Sequence, residues 1–277
     1  MQKFENIIIL SDLDGTLLDS QEKVSETNKN AIEYFKANGG RFAIATGRGV
    51  QHVVGAIPNI KDLVNFLCVT CNGACLYDFL TGQTPVVKQL SYEETCDIVT
   101  YVKEKYKDSG IRASSLDYCF VIAPEDSENK YISEELEKYK RQRNLIAPLE
   151  NWKNETILKV GIRLDEEIVV QALYDLQLKF KDKFSVTQSG DTIIDVQLHG
   201  VNKGSTIMKY IRETFGGDVT VYACGDYVND LELLKAADIS VCPSGAHESV
   251  KELSDLCLCS NDEGLIDCLV KFIEKNN

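Results

Sequence analysis

Two pairs of aspartates in this 277-residue chain stand at spacings that could serve one chemistry. Asp12 and Asp14 are two residues apart and lead into a glycine, and Asp226 and Asp230 follow a second glycine. Four carboxylates gathered in one crevice would repel one another strongly unless a cation lay between them. Carboxylate oxygens without histidine or cysteine favour Mg²⁺. If the fold brings the four together, the sequence therefore predicts a magnesium site.

A hydroxyl and a cation stand at comparable positions elsewhere in the chain. Thr46 and Gly47 follow an apolar run, and Lys203 begins a predicted helix, where the helix dipole disfavours a positive charge. A lysine there indicates an anionic partner, with a solvated surface lysine as the alternative. Each group alone is also compatible with a simple turn, because aspartate and glycine are common turn residues. Together, a carboxylate nucleophile, a metal, a lysine and a hydroxyl fit the transfer of a phosphoryl group.

The elements that must position these residues follow from the apolar pattern. Continuous apolar runs at 6–11, 41–46 and 219–224 predict strands buried on both faces, as in a parallel sheet. Helical spacing between the first two runs predicts a βαβ unit with a right-handed crossover. The other predicted elements of this part are a helix from 203, a helix over 230–237, a strand at 239–241 and a helix near 265–274. Open parallel sheets bind ligands at the carboxyl ends of their strands, which is where the polar groups stand.

The chain divides into an interrupted domain and an insert. Residues 1–83 and 191–277 are predicted to form one doubly wound, Rossmann-like α/β domain with a parallel sheet. Residues 84–190 are predicted to form an inserted α+β domain. Its predicted elements are strands at 118–123 and 158–164 and helices at 93–106 and 167–180. The insert has 16 Lys and Arg against 19 Asp and Glu, so most of the net charge of −13 lies in the interrupted domain.

The charge balance limits the partners of the protein. A net charge of −13 argues against nucleic acid and against an anionic membrane surface, because both attract clustered cations. The longest uncharged stretch, 63–77, is shorter than a membrane-spanning helix, and no targeting segment is seen. We expect a cytoplasmic protein, a monomer or a weak homodimer, whose partner is a small phosphorylated metabolite bound in a locally positive pocket.

Ten cysteines raise the question of a metal site or disulfides. Cys68, Cys71 and Cys75 are closely spaced, and Cys257 and Cys259 form a second close pair. A zinc site would require four ligands in paired, repeated spacing, so zinc is the less favoured alternative. Cys68 also lies in an apolar run at 66–69 that predicts a buried strand. We therefore expect free, mostly buried thiols, as in a reducing cytosol.

The polar groups, taken in chain order, resemble the four motifs of the haloacid dehalogenase superfamily. The matching residues are Asp12-Leu-Asp-Gly-Thr16, Thr46, Lys203 and Gly225-Asp226-x-x-Asn229-Asp230. Within that superfamily the chain is similar to the Cof-type phosphatases, which carry a large α/β cap of the C2B type between the second and third motifs. Asn72-Gly73-Ala74 and Gly200-Val-Asn-Lys-Gly204 support the match, whereas Cys242-Pro-Ser-Gly-Ala246 departs from it.

The resemblance implies a role for each motif residue. Asp12 would attack phosphorus and form an aspartyl phosphate, and Asp14 would act as the general acid and base. Mg²⁺ would be held by Asp12, the main-chain carbonyl of Asp14 and Asp226, with Asp230 as a second ligand or an orienting residue. The transferred phosphoryl oxygens would be bound by Thr46, the Gly47 amide, Lys203 and Asn229.

The resemblance also implies the reaction and its alternatives. The predicted function is Mg²⁺-dependent hydrolysis of a small phosphomonoester such as a sugar phosphate, with the cap setting specificity. Arg48 could contact substrate or form a salt bridge. Tyr118, Phe120 and Trp152 are candidate substrate contacts, although packing in the cap core is the favoured role of each. A phosphotransferase or phosphomutase is the first alternative, although mutases usually have smaller caps. A non-catalytic sensor of a phosphorylated metabolite is the second, although mere binding does not need Asp14.

Overall fold

The computed structural model of the chain describes residues 2–122 and 144–276. The chain forms two compact units. The first unit comprises Met1–Arg48, Ala56–Val86 and Asn202–Asn277, and the second comprises Gly49–Gly55 and Val87–Val201.

The described strands and helices alternate along much of the chain. In chain order the strands are β1 (Ile7–Ser11), β2 (Arg41–Ile44), β3 (Cys68–Thr70), β4 (Cys75–Tyr77), β5 (Val86–Val87), β6 (Gly110–Ser115), β7 (Cys119–Ile122), β8 (Asn144–Ile146), β9 (Ile157–Arg163), β10 (Phe184–Gly190), β11 (Ile193–Leu198), β12 (Thr220–Cys224), β13 (Ile239–Cys242) and β14 (Leu256–Cys257). The α-helices are α1 (Glu26–Ala37), α2 (Val50–Ala56), α3 (Ile60–Leu63), α4 (Tyr92–Lys105), α5 (Glu166–Phe180), α6 (Lys203–Phe215), α7 (Leu231–Ala236), α8 (Glu248–Leu253) and α9 (Leu265–Asn276).

The first unit is built on a five-stranded parallel sheet in the order β14-β13-β12-β1-β2. Every residue of β1 is buried, because this apolar run is paired on both sides and covered on both faces. Helix α1 packs against α9, and α6 packs against α7. The predicted parallel α/β core is confirmed.

The second unit is built on a six-stranded sheet in the order β10-β11-β9-β6-β7-β8. Neighbouring strands are antiparallel except β7 and β8, which are parallel. Apolar residues of this sheet form one core with the inner sides of α4 and α5. Trp152 is fully buried in that core, with its ring centroid 5.8 Å from that of Phe120, so both aromatic residues have the packing role favoured from the sequence.

The limits of the two compact units are not those of the predicted division, which stays a prediction, and Gly49–Gly55 belongs to the second unit. The sequence division falls after residue 190, between β10 and β11. These two strands are antiparallel neighbours, with Phe184 opposite Leu198 and Val186 opposite Val196. The second unit therefore extends to Val201. The predicted strand at 118–123 corresponds to β7, and its last residue lies outside the described residues.

Two further observations concern the cysteines and the helices. Cys259 and Cys268 form a disulfide bond, which corrects the expectation of free thiols at these two positions. The other eight cysteines, all within the part of the chain that the structure describes, are not joined in disulfides. Six of these eight are buried, as expected for small apolar side chains. Across residues 2–122 and 144–276, every helix is too short or too polar to cross a bilayer.

Candidate active site

Two aspartates of the site, Asp12 and Asp226, follow the carboxyl ends of β1 and β12. Ser11 and Cys224, the last residues of these strands, are paired in register. The Asp12 amide donates a hydrogen bond of 2.9 Å to the Cys224 carbonyl, which continues the strand pairing by one residue. Asp226 follows β12 by two residues. Neighbouring parallel strands therefore bring together aspartates that are distant in sequence, at the edge where parallel sheets bind ligands.

Three aspartates form a compact acidic cluster at this edge. Asp12, Asp226 and Asp230 each offer a carboxylate oxygen, and these oxygens all lie within 4.8 Å of one another. Asp12 is 5% exposed and Asp230 is fully buried. Three anionic groups this close and this poorly hydrated require compensation by positive charge.

Lys203 supplies part of that compensation. Its ammonium donates to Asp12 Oδ1 at 2.8 Å and to Asp230 Oδ1 at 2.6 Å, and the lysine is 1% exposed. Lys203 is the first residue of α6, and the side chain of the preceding Asn202 caps the helix by accepting from the Ser205 amide at 2.7 Å. The sequence predicted an anionic partner for Lys203, and in the folded protein the two carboxylates are partners of this kind.

Asp230 also fixes the loop that carries Asp226. Its second oxygen, Oδ2, accepts from the amides of Asp226 at 3.1 Å and Tyr227 at 3.2 Å. The backbone at Gly225 passes so close that a Cβ atom there would lie 2.5 Å from the Asp230 Cβ. Asp230 thus contacts both Lys203 and the loop after β12. The absence of a side chain at Gly225 allows this loop to lie close to Asp230.

Asp226 is held from the other side by the turn after β1. Thr16 Oγ1 donates to Asp226 Oδ1 at 2.9 Å. Gly15 has a φ of +73°, and a Cβ there would lie 2.3 Å from Asp226 Oδ2. Thr16 belongs to the first motif, but no role was predicted for it. Thr16 is buried in the same turn as Asp12, and this position indicates a role in holding Asp226.

The electrostatics of the cluster favour a cation. Burial, followed by the charge of Asp230, raises the pKa of Asp12 well above its usual range, and Lys203 offsets part of that effect. Burial and Asp230 likewise raise the pKa of Asp226 to about 6. For Lys203, burial lowers the pKa of the ammonium, but the charges of Asp12 and Asp230 outweigh burial and hold it above its usual value.

The donor set of the cluster fits a hard divalent metal ion. All three ligand atoms are carboxylate oxygens, with no nitrogen or sulfur among them. Three ionised carboxylates against the single charge of Lys203 leave an excess of two negative charges, which one divalent ion would neutralise. The acidic cluster could therefore hold a metal. The carboxylate of Asp14 is not part of the cluster, and the predicted contribution of its main-chain carbonyl stays a prediction.

Asp14 instead pairs with Arg48. The Arg48 guanidinium donates from Nε to Asp14 Oδ2 at 2.8 Å and from Nη2 to Asp14 Oδ1 at 2.5 Å. The Asp14 side chain remains 55% exposed, whereas that of Arg48 is 18% exposed. Of the two possibilities for Arg48, the structure shows the salt bridge. The bidentate pair holds the predicted acid and base in one orientation at the surface of the site.

The predicted phosphate-binding residues are linked through Asn72. The Asn72 amide donates to the Thr46 carbonyl at 3.1 Å, and the Asn72 side chain accepts from Asn229 Nδ2 at 3.4 Å. A Cβ at Gly47 would lie 2.8 Å from Asn72 Oδ1. Asn72 has a φ of +51°, in the left-handed region that Asn-Gly turns often adopt. In the sequence Asn72 is only a supporting match, and its position between these residues was not predicted.

Tyr118 belongs to the second unit. It lies in the turn between β6 and β7, is 41% exposed, and its ring centroid is 6.1 Å from that of Phe120. Its predicted contact with substrate stays a prediction.

Comparison with known proteins places the chain among hydrolases. The family model for haloacid dehalogenase-like hydrolases matches residues 9–269. A 5-amino-6-(5-phospho-D-ribitylamino)uracil phosphatase of Bacillus subtilis, YcsE, is 25% identical over 257 residues, which is 92% of this chain and 91% of that protein. The phosphatase YbjI of Escherichia coli carries the same enzyme name and is 24% identical, with 96% of both chains covered.

Solved structures agree on the fold. A HAD/COF-like hydrolase of Plasmodium vivax superposes with a TM-score of 0.83 at 24% identity, covering 100% of this chain and 97% of that one. A haloacid dehalogenase-like hydrolase of B. subtilis gives a TM-score of 0.80 at 17% identity, covering 95% of this chain and 98% of that one. With this coverage both similarities include the sheets of both units, so the fold of each described unit is shared.

Proposed function

Because the chain belongs to the haloacid dehalogenase-like hydrolase family, we propose that it is a Mg²⁺-dependent phosphatase of small phosphorylated metabolites. The observation that carries the proposal is the contact of the Lys203 ammonium with both Asp12 and Asp230, beside the three-carboxylate cluster. A nucleophilic carboxylate next to a lysine and a divalent-cation site is the arrangement that allows one anion to attack another.

In this proposal Asp12, Asp226 and Asp230 hold Mg²⁺ together with the main-chain carbonyl of Asp14. When bound, the metal neutralises charge on the phosphoryl group and on the cluster, which lowers the repulsion between them. Lys203 adds a second positive charge and holds the Asp12 carboxylate in place. Thr46, the Gly47 amide and Asn229 complete the set of donors for the phosphoryl oxygens, and Asn72 positions them.

The reaction proceeds in two displacements at phosphorus. An Asp12 oxygen forms a bond to phosphorus while the bond to the ester oxygen breaks, and Asp14 gives its proton to the leaving alkoxide. Asp14 then takes a proton from a water molecule, whose oxygen attacks the aspartyl phosphate. Inorganic phosphate leaves, the Asp12 carboxylate is restored, and Asp14 holds its proton again. The exposed carboxylate of Asp14 is accessible to both the alkoxide and water.

The test is release of inorganic phosphate from p-nitrophenyl phosphate with and without Mg²⁺. We expect Asp12→Asn to lower kcat by several orders of magnitude and chelation of Mg²⁺ to abolish turnover. Asp62→Asn, at an exposed aspartate of the same unit, is the matched control and should leave kcat unchanged. Phosphatase activity in Asp12→Asn would refute the assignment of the nucleophile.

A second measurement separates the two chemical steps. Asp14→Asn removes the acid and base but leaves the nucleophile, so an activated ester with a good leaving group should still phosphorylate Asp12. The trapped aspartyl phosphate should be sensitive to hydroxylamine and absent from Asp12→Asn. Rapid steady-state turnover by Asp14→Asn would contradict the role proposed for this residue.

The substrate is to be sought among phosphorylated metabolites with a polyol or sugar chain. Both relatives described above are named 5-amino-6-(5-phospho-D-ribitylamino)uracil phosphatases, so this compound is the first candidate. Hexose phosphates and other phosphomonoesters form the comparison set, and kcat/KM rather than turnover alone should rank them. The same screen tests the alternatives. A phosphomutase would yield an isomeric sugar phosphate, a phosphotransferase would require a second acceptor, and a sensor would bind one compound without hydrolysing any.

We further propose that the enzyme acts in the cytoplasm on a small-molecule partner, without nucleic acid or membrane. The net charge of −13 supports this, because polyanionic surfaces repel an acidic protein. Retention on neither heparin nor anionic vesicles is the expected result.

A further inference from the structure

Helix α5 of the second unit carries apolar side chains on its outer face. Val170 is 68% exposed, Tyr174 is 62% exposed and Leu178 is 65% exposed. These residues are four apart, so they lie one above another on a single face of the helix. We call them the α5 stripe. Scattered apolar residues are normal at protein surfaces, but a continuous stripe of large ones marks an interaction site.

The stripe is not the face by which α5 joins its own unit. That role belongs to the buried residues Val169, Ala172, Leu176 and Phe180, which pack into the core of the second unit. At 100° per residue, the stripe lies on the side of the helix opposite these residues. Helix α5 therefore has a second apolar face, which its own unit leaves exposed.

The sequence along this outer face is symmetric. Glu167 precedes the stripe by three residues and Lys181 follows it by three, so both positions are seven residues from Tyr174. Val170 and Leu178 are each four residues from Tyr174. Glu167 and Lys181 are both exposed. The face thus has an acid at one end, a base at the other, and an aromatic residue midway between two aliphatic ones.

Such symmetry suits a second copy of the same face. Two α5 helices packed antiparallel about a two-fold axis at Tyr174 would place Val170 against Leu178 of the second copy. The same pairing would place Glu167 against Lys181 of the second copy, and because the interface is isologous this ion pair would occur twice. Parallel packing would instead place Glu167 against Glu167 of the second copy. The charges therefore select the antiparallel arrangement.

We propose that a second copy of this chain docks on the α5 stripe to form a two-fold symmetric homodimer. The segment 84–190 is close to neutral, with 16 basic and 19 acidic residues, so copies meeting here avoid most of the repulsion between chains of net charge −13. The stripe is small compared with the ~800 Å² per partner of stable interfaces. The dimer is therefore weak and forms only as the protein concentration rises.

Sedimentation velocity of the full chain over about 5 to 500 µM tests the proposal, because a weak dimer is populated only in this range. We expect the weight-average sedimentation coefficient to rise with concentration. Tyr174→Glu places two like charges at the axis and should weaken association at least tenfold. Leu80→Glu, at another half-exposed leucine outside the stripe, is the matched control and should associate like the natural chain.

Charge exchange tests the antiparallel register. Glu167→Lys and Lys181→Glu should each weaken self-association, because each opposes like charges twice. The double variant should regain it, and an equimolar mixture of the two single variants should form mixed dimers. Phosphatase activity and the unfolding temperature at low concentration serve as folding controls. A chain that stays monomeric throughout, a dimer insensitive to Tyr174→Glu, or no recovery in the double variant would each overturn the proposal.

Discussion

Lys203 holds together the two ends of the candidate site. It is fully buried and contacts Asp12 and Asp230, which lie 191 and 27 residues away in the sequence. Burying a lysine costs free energy of desolvation, and here the attraction of two carboxylates offsets that cost. The arrangement stores little net stability, because desolvation and attraction largely cancel. Removing one member would leave the remaining charges buried and uncompensated, so the cluster depends on all of its parts.

Lys203→Met should therefore be strongly destabilising in the absence of Mg²⁺. Breaking a buried ion pair by removing one partner costs about 3–5 kcal/mol, and three carboxylates would remain in contact. Urea unfolding measures the loss in free energy of unfolding. Lys235→Met removes an exposed lysine that pairs with Glu232 on α7, and surface pairs contribute about 0–1 kcal/mol. Equal effects of the two substitutions would contradict the role given to Lys203.

Gly15→Ala should disturb Asp226 without removing any charged group. A methyl group at position 15 would lie 2.3 Å from Asp226 Oδ2, and its φ of +73° strains any other residue by about 1–3 kcal/mol. We expect weaker Mg²⁺ binding by calorimetry and lower kcat. At Gly217 a Cβ would meet nothing within 4 Å, so Gly217→Ala is the matched control and should bind Mg²⁺ normally. Normal Mg²⁺ affinity in Gly15→Ala would show that Asp226 is not constrained as described.

Helix α6 positions Lys203 by starting at that residue. Asn202 caps the helix through reciprocal hydrogen bonds with Ser205, and this fixes the first turn from which the lysine side chain extends. Ser91 caps α4 of the second unit in the same way, through Glu94. The two helices thus begin with the same local device, but only α6 carries a residue of the candidate site.

Substituting each of the two capping residues separates the effect of a cap on stability from its effect on catalysis. Asn202→Ala and Ser91→Ala should each lower the free energy of unfolding by about 0.5–2 kcal/mol, the usual cost of losing a helix cap. We expect only Asn202→Ala to lower kcat/KM as well, because it loosens the turn that holds Lys203. Urea unfolding and steady-state kinetics measure the two effects. A loss of kcat/KM in Ser91→Ala of the same size would indicate that general stability, not the position of Lys203, limits activity.

Local pattern predicted the elements of the first unit well. The run predicted at 6–11 is β1 (Ile7–Ser11), because a buried parallel strand is continuously apolar and ends where polar residues begin. Strand β11, by contrast, was not among the predicted elements. It lies in the antiparallel sheet through its pairing with β10 and β9. Pairing partners are not encoded locally.

The sequence pattern did not predict the contacts between site residues that are far apart in the sequence. The motif residues were predicted because their types and order resemble a known set. The Arg48–Asp14 salt bridge and the link between Asn72 and Asn229 join residues 34 and 157 positions apart, and they depend on how loops meet at the sheet edge. The Cys259–Cys268 disulfide joins a loop to α9, and spacing alone gave no reason to pair these two cysteines.

The stability of the folded protein should change with pH in opposite directions with and without Mg²⁺. Burial and Asp230 raise the pKa of Asp226 from 3.8 to about 6, so the metal-free folded protein binds this proton more tightly than the unfolded chain does. The resulting stabilisation is complete below the unfolded pKa and is lost as the pH rises toward 6. Asp12, whose pKa is also raised by burial and by Asp230, acts in the same direction.

A divalent ion bound to the cluster would favour the ionised carboxylates, which offsets these pKa shifts, and would compete with the protons. We therefore expect Mg²⁺ to raise the unfolding temperature more at pH 7.5 than at pH 5, and metal binding near pH 6 to release protons. Thermal melts with and without Mg²⁺, and calorimetry in two buffers of different ionisation enthalpy, measure these effects. In Asp226→Asn both the proton release and the Mg²⁺-induced rise should be smaller. An equal Mg²⁺ effect at both pH values would mean that the ion binds away from the buried carboxylates, and the metal site proposed at Asp12, Asp226 and Asp230 would have to be abandoned.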